Sequence, residues 1–154
     1  MKLKLRKYSL KDLDAHIKLF QMNETYSNIT EKIKSQEKGW LKKVISNYRR
    51  TNPSFYVKAI TLNEKLIGNF IAENFNSHEQ TFEIGFWIGK DYWNRGYTSK
   101  ALNLFLKDVK KKFKPTMIIA HCKYQNLASK RVLEKAGFKF KIKNNNLLTF
   151  SKQF

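Results

Sequence analysis

Hydrophobic and polar positions alternate along this chain in two rhythms. Over residues 2–6, Leu3 and Leu5 stand between charged neighbours, the period-two pattern of a strand with one buried face. From Leu13 the spacing turns helical, with Leu13, Ile17 and Phe20 on one face. Ser9 followed by Asp12 supplies a capping box to open that helix. A polar stretch, residues 21–28, leads to a second helical pattern carrying Ile33, Trp40, Leu41, Val44, Ile45 and Tyr48, and Pro53 ends it. Residues 55–60 and 66–72 read as two strands of a hairpin about the turn Leu62-Asn63-Glu64-Lys65.

The rest of the chain is arranged around residues 82–102. Positions 82–88 are apolar except for Glu83 and Gly85, rich in aromatic and β-branched residues, and too few for a helix. They predict a largely buried strand. The turn Gly89-Lys90-Asp91 follows, then Trp93-Asn94-Arg95-Gly96-Tyr97-Thr98-Ser99, then a helix with Leu102, Phe105, Leu106, Val109 and Phe113 on one face. A strand, a glycine-bearing loop and a helix start together make a device for holding an anion. The first amides of a helix lack internal partners, and the macrodipole places about half a positive charge there. Gly96 lets a phosphate approach the backbone, and Arg95 adds a donor fork suited to phosphate. On the loop alone, a plain junction in which Gly96 only makes the turn fits as well.

Downstream, the basic residues of positions 110–114 suit the negative pole of that helix, and Pro115 starts a new segment. Residues 117–122 form a strand. Asn126 is placed as an N-cap, Ala128, Val132 and Ala136 share a helix face, and Gly137 stands where a C′ residue is expected. Residues 138–142 and 147–150 close the chain as two strands about Asn144-Asn145-Asn146. This order predicts an α/β (α+β) fold: a mixed, mostly antiparallel central sheet with helices on both faces, one domain over 1–154.

Composition narrows the function. With 42 % hydrophobic and 14 % aromatic residues the chain is globular, and it has no apolar run long enough to span a membrane. The N-terminus lacks the apolar core of a signal peptide, and Cys122 is the sole cysteine, so a cytoplasmic location without disulfides or membrane partner is expected. His16, His78 and His121 are scattered, and no metal site is expected. The net charge of +19 favours anionic cofactors, nucleic acid or acidic surfaces. Yet the lysines are spread along the chain and the aromatics sit in apolar patterns, so biased composition explains the charge equally well.

Three stretches carry a resemblance: Leu66-Ile67-Gly68, Glu83-Ile84-Gly85-Phe86-Trp87-Ile88 through Tyr92-Trp93-Asn94-Arg95-Gly96-Tyr97, and Asn126 through Phe138. Their order and spacing, over nearly the whole chain, resemble the GNAT superfamily of acyl-CoA-dependent N-acetyltransferases, especially its RimJ/RimL-like branch that acetylates ribosomal proteins. The resemblance implies acetyl-CoA as co-substrate and no metal. Arg95, Gly96, Tyr97, Thr98 and Ser99 would hold the pyrophosphate, chiefly through backbone N–H groups. The strand at Trp87 and Ile88 would part from its neighbour after a bulge and pair with the pantetheine arm. Asn126 would hydrogen-bond the pantetheine, and Ser129 would sit near the thiol. As residues alone, Asn126 is also a plain cap and Ser129 a solvated first-turn serine.

The chain departs from the family in places. Trp93 stands where the loop usually has Gln or Arg, and Thr98 where Gly or Ala is usual. Leu133 occupies the position of the tyrosine acid of many relatives, leaving Ser129, Tyr124 or water to protonate the thiolate. Acetyl transfer needs a neutral amine. A lysine amine near 10.4 is neutral in roughly one molecule per thousand at neutral pH, costing about 4 kcal/mol, whereas an α-amine near 8 costs under about 1.5. Glu83 is the best-placed carboxylate for a general base, with Glu73 in reserve, and a strand glutamate paired with lysine is the structural alternative. The expected acceptor is a protein or peptide α-amine, with ribosome or RNA association through the basic surface. The alternatives are a small-molecule amine (amino sugar, polyamine or antibiotic) and a basic, non-catalytic RNA- or ribosome-binding module.

Overall fold

The computed structural model describes residues 1–154. A single seven-stranded sheet runs in the order β1-β2-β3-β4-β5-β7-β6. Its strands are β1 (Leu3–Arg6), β2 (Phe55–Leu62), β3 (Lys65–Asn76), β4 (Thr81–Ile88), β5 (Met117–Lys123), β6 (Lys139–Asn144) and β7 (Leu147–Gln153). Only β4 and β5 run parallel. The helices are α1 (Leu13–Met22), α2 (Glu31–Asn47), α3 (Tyr97–Phe113) and α4 (Leu127–Lys135). The sheet is thus mixed and mostly antiparallel, as the hydrophobic pattern predicts. No helix is long and apolar enough to cross a membrane.

Local chemistry sets several joints. The β2–β3 turn places Asn63 and Glu64 at φ 49° and 67°, the doubly left-handed geometry that matches strand twist in a tight hairpin. Asn63 also accepts the Lys2 N–H at 2.9 Å, which ties the start of β1 to the turn. β3 runs on to Asn76, beyond the expected end at residue 72, because its pairing with β4 continues. Lys114 closes α3 in the left-handed region at φ 47°, after a last turn holding Lys110, Lys111 and Lys112 against the negative helix pole.

Two apolar clusters cover the two faces. On one, α3 and α4 bury Leu102, Phe105, Val109 and Leu133 against Ile60, Phe70, Phe82, Ile84, Ile118 and Phe150. Phe70 and Phe105 stack with centroids 5.1 Å apart, and each is fully buried. On the other face, α1 and α2 bury Leu19, Leu41 and Val44 against Val57, Ala59 and Leu66. The α4 positions divide differently from the expectation that Ala128, Val132 and Ala136 share an apolar face. Leu133 and Ala136 are buried, whereas Ala128 is exposed and Val132 half-buried.

A polar joint anchors α1. Asp12 receives both Arg6 nitrogens, at 2.7 and 2.8 Å, and the Ser9 N–H at 2.9 Å. The predicted capping residue thus also clamps β1 through a bidentate ion pair. Burial raises the Asp12 carboxyl, but the Arg6 guanidinium and the Ser9 amide outweigh it and hold it below its ordinary value. A group depressed in the folded state stabilises above its unfolded value, and that contribution is lost as pH falls through the folded value. Asp12→Asn should therefore lower stability near neutrality by about 1–3 kcal/mol, less than a fully buried pair because Arg6 can recover water. Urea unfolding across pH should show the gap to wild type narrowing as the pH drops below about 4.

Candidate active site

β4 and β5 pair only from Thr81–Met117 to Ile84–Ala120. Beyond that point β4 stays with β3 as far as Ile88–Gly68, and β5 stays with β7 as far as Lys123–Leu147. The inner edges separate and leave a cleft of about 630 Å³. Its walls come from the end of β4 (Phe86, Trp87, Ile88), the start of α3 (Gly96, Thr98, Ser99) and one side of α4 (Asn126, Ala128, Ser129, Val132). Ala128 and Val132, read from sequence as a core face, line this cleft instead.

The parting needs no bulge. Resemblance led us to expect one in β4, but the β3–β4 register runs without a shift from Glu83–Glu73 to Ile88–Gly68. The only slip lies at the other end, between Glu73 and Asn76. The strands part because each keeps its outer partner while the sheet twists. Strand parity assigns the backbone groups. The Gly89 N–H donates to the Ile67 carbonyl at 2.8 Å, so residues 85 and 87 turn their polar groups to β3, and Phe86 and Ile88 turn theirs to the cleft. Of the two expected strand residues, Ile88 presents its backbone to the cleft and Trp87 does not. The Ile88 carbonyl already accepts from Asn23 Nδ2 at 3.0 Å and Trp93 Nε1 at 2.9 Å. The cleft-facing groups left are the Ile88 N–H and both polar groups of Phe86. Gly68 is required opposite: a Cβ there would lie 2.3 Å from the Trp87 carbonyl oxygen.

At the start of α3, Gly96 is the N-cap at φ 74°, and no side chain caps the helix. The amides of Tyr97, Thr98 and Ser99 therefore face outward as donors. Tyr97 offers its amide alone, since its ring is buried and its hydroxyl lies 3.3 Å from Met1 Sδ. Arg95 is exposed and outside the cleft wall. The cations that line the cleft are Arg131 and Lys135 of α4. Asn126 Oδ1 caps α4 by accepting the Ser129 N–H at 3.1 Å, and Ser129 borders the same cleft. Leu133 is fully buried and away from the cleft, and Tyr124 is exposed with Lys143 Nζ 3.8 Å from its ring centroid.

Glu83 occupies the opposite face of the sheet, the face that carries Trp87. It lies directly across from Glu73, accepts from Asn74 Nδ2 at 3.0 Å, and has His121 Nε2 at 3.7 Å. His121 Nδ1 is 3.0 Å from Thr149 Oγ1. On the same face, Trp87 stacks on Phe20 and buried His16 stacks on Trp40, with His16 Nε2 held 3.0 Å from Glu37. Burial pushes the His16 imidazole below its usual range, although Glu37 opposes the shift. The sequence reading missed Phe86, Asn23, Arg131, Lys135 and His121. A signal existed only for the α4 cations, whose i, i+4 spacing puts them on one face.

Comparison with known proteins agrees with this geometry. The acetyltransferase (GNAT) domain family matches residues 2–139. An uncharacterized N-acetyltransferase, YnaD of Bacillus subtilis strain 168, is 26 % identical over 90 % of this chain and 79 % of its own. A RimL ribosomal L7/L12 α-N-protein acetyltransferase, solved with coenzyme A, superposes with a TM-score of 0.84. That match covers 99 % of this chain and 94 % of the other, at 14 % identity. A GNAT-family acetyltransferase from Bacillus anthracis matches at 25 % identity and a TM-score of 0.74, over 99 % and 95 % of the two chains. With a strand-parted cleft, an uncapped helix start and a family match spanning most of its length, the chain belongs to the GNAT acetyltransferases, N-acyltransferases that use acetyl-CoA as co-substrate.

Proposed function

We propose that this chain acetylates the α-amine of a protein or peptide, as one catalytic domain over residues 1–154. The observation that carries the reading is a cleft opened by two parting strands and lined by anion-binding donors, with the Glu83 carboxylate on the opposite face of the sheet near the point of parting. Acetyl-CoA supplies an acetyl group activated as a thioester. The outward amides of Tyr97, Thr98 and Ser99 suit its pyrophosphate, and Arg131 and Lys135 add positive charge from the facing helix. Thr98 narrows the approach with its branched Cβ while its hydroxyl adds a donor. Arg95 reaches the same anion only from the outer rim. The Phe86 and Ile88 backbone groups suit the amides of an extended arm, laid along β4 as a further strand would be. Asn126 and Ser129 line the same cleft, and the Ser129 hydroxyl is the group we assign to protonate a leaving thiolate.

On the far face, Glu83 provides the negative charge that attracts and orients an ammonium, with Glu73 directly across from it. An α-amine suits this site better than a polyamine. A peptide N-terminus brings one charge and little deprotonation cost, whereas a +19 surface repels multiply charged amines at long range. The structural likeness to proteins described as ribosomal α-N-protein acetyltransferases points the same way. A basic surface would also draw the enzyme to anionic RNA beside a ribosomal substrate.

Coenzyme placement is tested at Gly96. A Cβ there meets nothing within 4 Å, but φ 74° strains any residue other than glycine by about 1–2 kcal/mol. Gly96→Ala carries the same strain and is the control for Gly96→Asp, which also brings a carboxylate against the pyrophosphate. The acetyl-CoA affinity of Gly96→Asp should fall by tens-fold or more, and Gly96→Ala should lose far less. Equal affinity of wild type and Gly96→Asp in calorimetric titration would remove the pyrophosphate from this helix start. The acceptor is tested by competition between a pool of short peptides and spermine, with thiol release and product mass as readouts. Peptide α-amines should be acetylated preferentially at low and moderate salt, and preferential turnover of spermine would overturn the assignment.

A further inference from the structure

We propose that His121 is the proton acceptor of the transfer, held by Thr149 and Glu83 as positioning residues; this rests on the acetyltransferase reading above. Position is the first argument. Ala120 is the last β5 residue paired with β4, so His121 is the first residue on the open side of the parting. Successive strand residues point to opposite faces. Ala120 and Cys122 are buried under α3 and α4, and His121 therefore faces the other way, onto the face of Glu83. Its side chain is about one-third exposed, as is that of Glu83, so a substrate can reach both. An acyl group held among the helix starts and an amine on this face would meet through the gap that His121 borders.

Hydrogen bonding is the second argument. In the tautomer whose Nδ1–H donates to Thr149 Oγ1, 3.0 Å away, the Nε2 lone pair faces Glu83 Oε2. Two acceptors then face each other at 3.7 Å, too far for a direct bond. A donor seated to one side of the pair, with an amine nitrogen about 2.9 Å from each atom, satisfies both. The site therefore matches a primary amine that gives one N–H to Nε2 and another to the carboxylate. As reaction proceeds, the nitrogen gives a proton to Nε2, its electron pair forms the N–C bond, and the thioester C–S bond breaks with its pair on sulfur. Glu83 stabilises the imidazolium that results. The charged groups that strand register sets around His121 and Glu83 are Glu73 on β3, Lys123 two residues along β5 and Lys139 at the sheet edge. His16, Glu37 and the Arg6–Asp12 pair lie on the same face at α1 and α2.

The test is the pH dependence of steady-state turnover with the peptide pool, alongside acetyl-CoA affinity, for wild type, His121→Gln, Thr149→Val and Glu83→Gln. His121→Gln should lower kcat/KM by about a hundredfold near neutrality and abolish its acidic limb, with activity recovering as rising pH deprotonates the amine itself. Thr149→Val should lose about tenfold and shift that limb, and Glu83→Gln should also lose rate. Acetyl-CoA affinity should stay as in wild type for all three. Turnover by His121→Gln equal to wild type, with the acidic limb intact, would overturn the role of His121 and leave the acetyltransferase reading standing. A wild-type protein that binds acetyl-CoA and turns over neither the peptides nor spermine would overturn both.

Discussion

The cleft of this molecule exists because the pairing between β4 and β5 is short. Four residues of each strand are in register, from Thr81–Met117 to Ile84–Ala120, and the next residues part. Had the pairing continued, the backbone of Phe86 and Ile88 would be consumed by the neighbouring strand, and the two faces of the sheet would be sealed from each other. The parting costs ladder hydrogen bonds, and buried backbone groups without partners are rare in native structures. Outer partners limit that cost, since β3 holds β4 to its last residue and β7 holds β5 to its last. The Asn23 and Trp93 side chains satisfy the Ile88 carbonyl. What remains is a strand edge open for an extended ligand.

The two faces then carry different groups. The α3 and α4 side presents uncapped helix amides with Arg131 and Lys135, as an anion requires. The other side sets Glu83 directly opposite Glu73, in a chain with only 12 acidic residues. Like charges directly across a strand pair are destabilising, by up to about 1 kcal/mol. Local rules broken in this way mark functional positions more often than structural ones. Asn74 Nδ2, donated from a left-handed residue beside the register slip, offsets part of the repulsion. Rigid packing fixes the geometry around both sides. Trp87 is pinned against Phe20, and Gly68 lets β3 approach β4 closely where β4 lines the cleft.

The sequence by itself determined the elements. Period-two and helical spacings placed all seven strands and four helices, the caps at Asn126 and Gly137, and the uncapped start at Gly96, because these depend on neighbours within a few residues. It also brought Glu83 into view as a polar break in an apolar run and Asn126 as a cap, while Ser129 came only from the family resemblance. Only the tertiary structure decided which side chains share a space. The resemblance sets Arg95 and Tyr97 at the pyrophosphate. The structure leaves Arg95 exposed outside the cleft wall and turns the Tyr97 ring into the core, with its amide alone facing outward. Arg131, Lys135 and Phe86 reach the cleft because helix rotation and strand parity turn them there. His121 looked like one of three scattered histidines, since its partners lie 38 residues before it and 28 after it in sequence. Pairing of β5 with β4 and β7 brings Glu83 and Thr149 to it. Contacts across a sheet are set by register, and register is a property of the assembled strands that no local pattern contains.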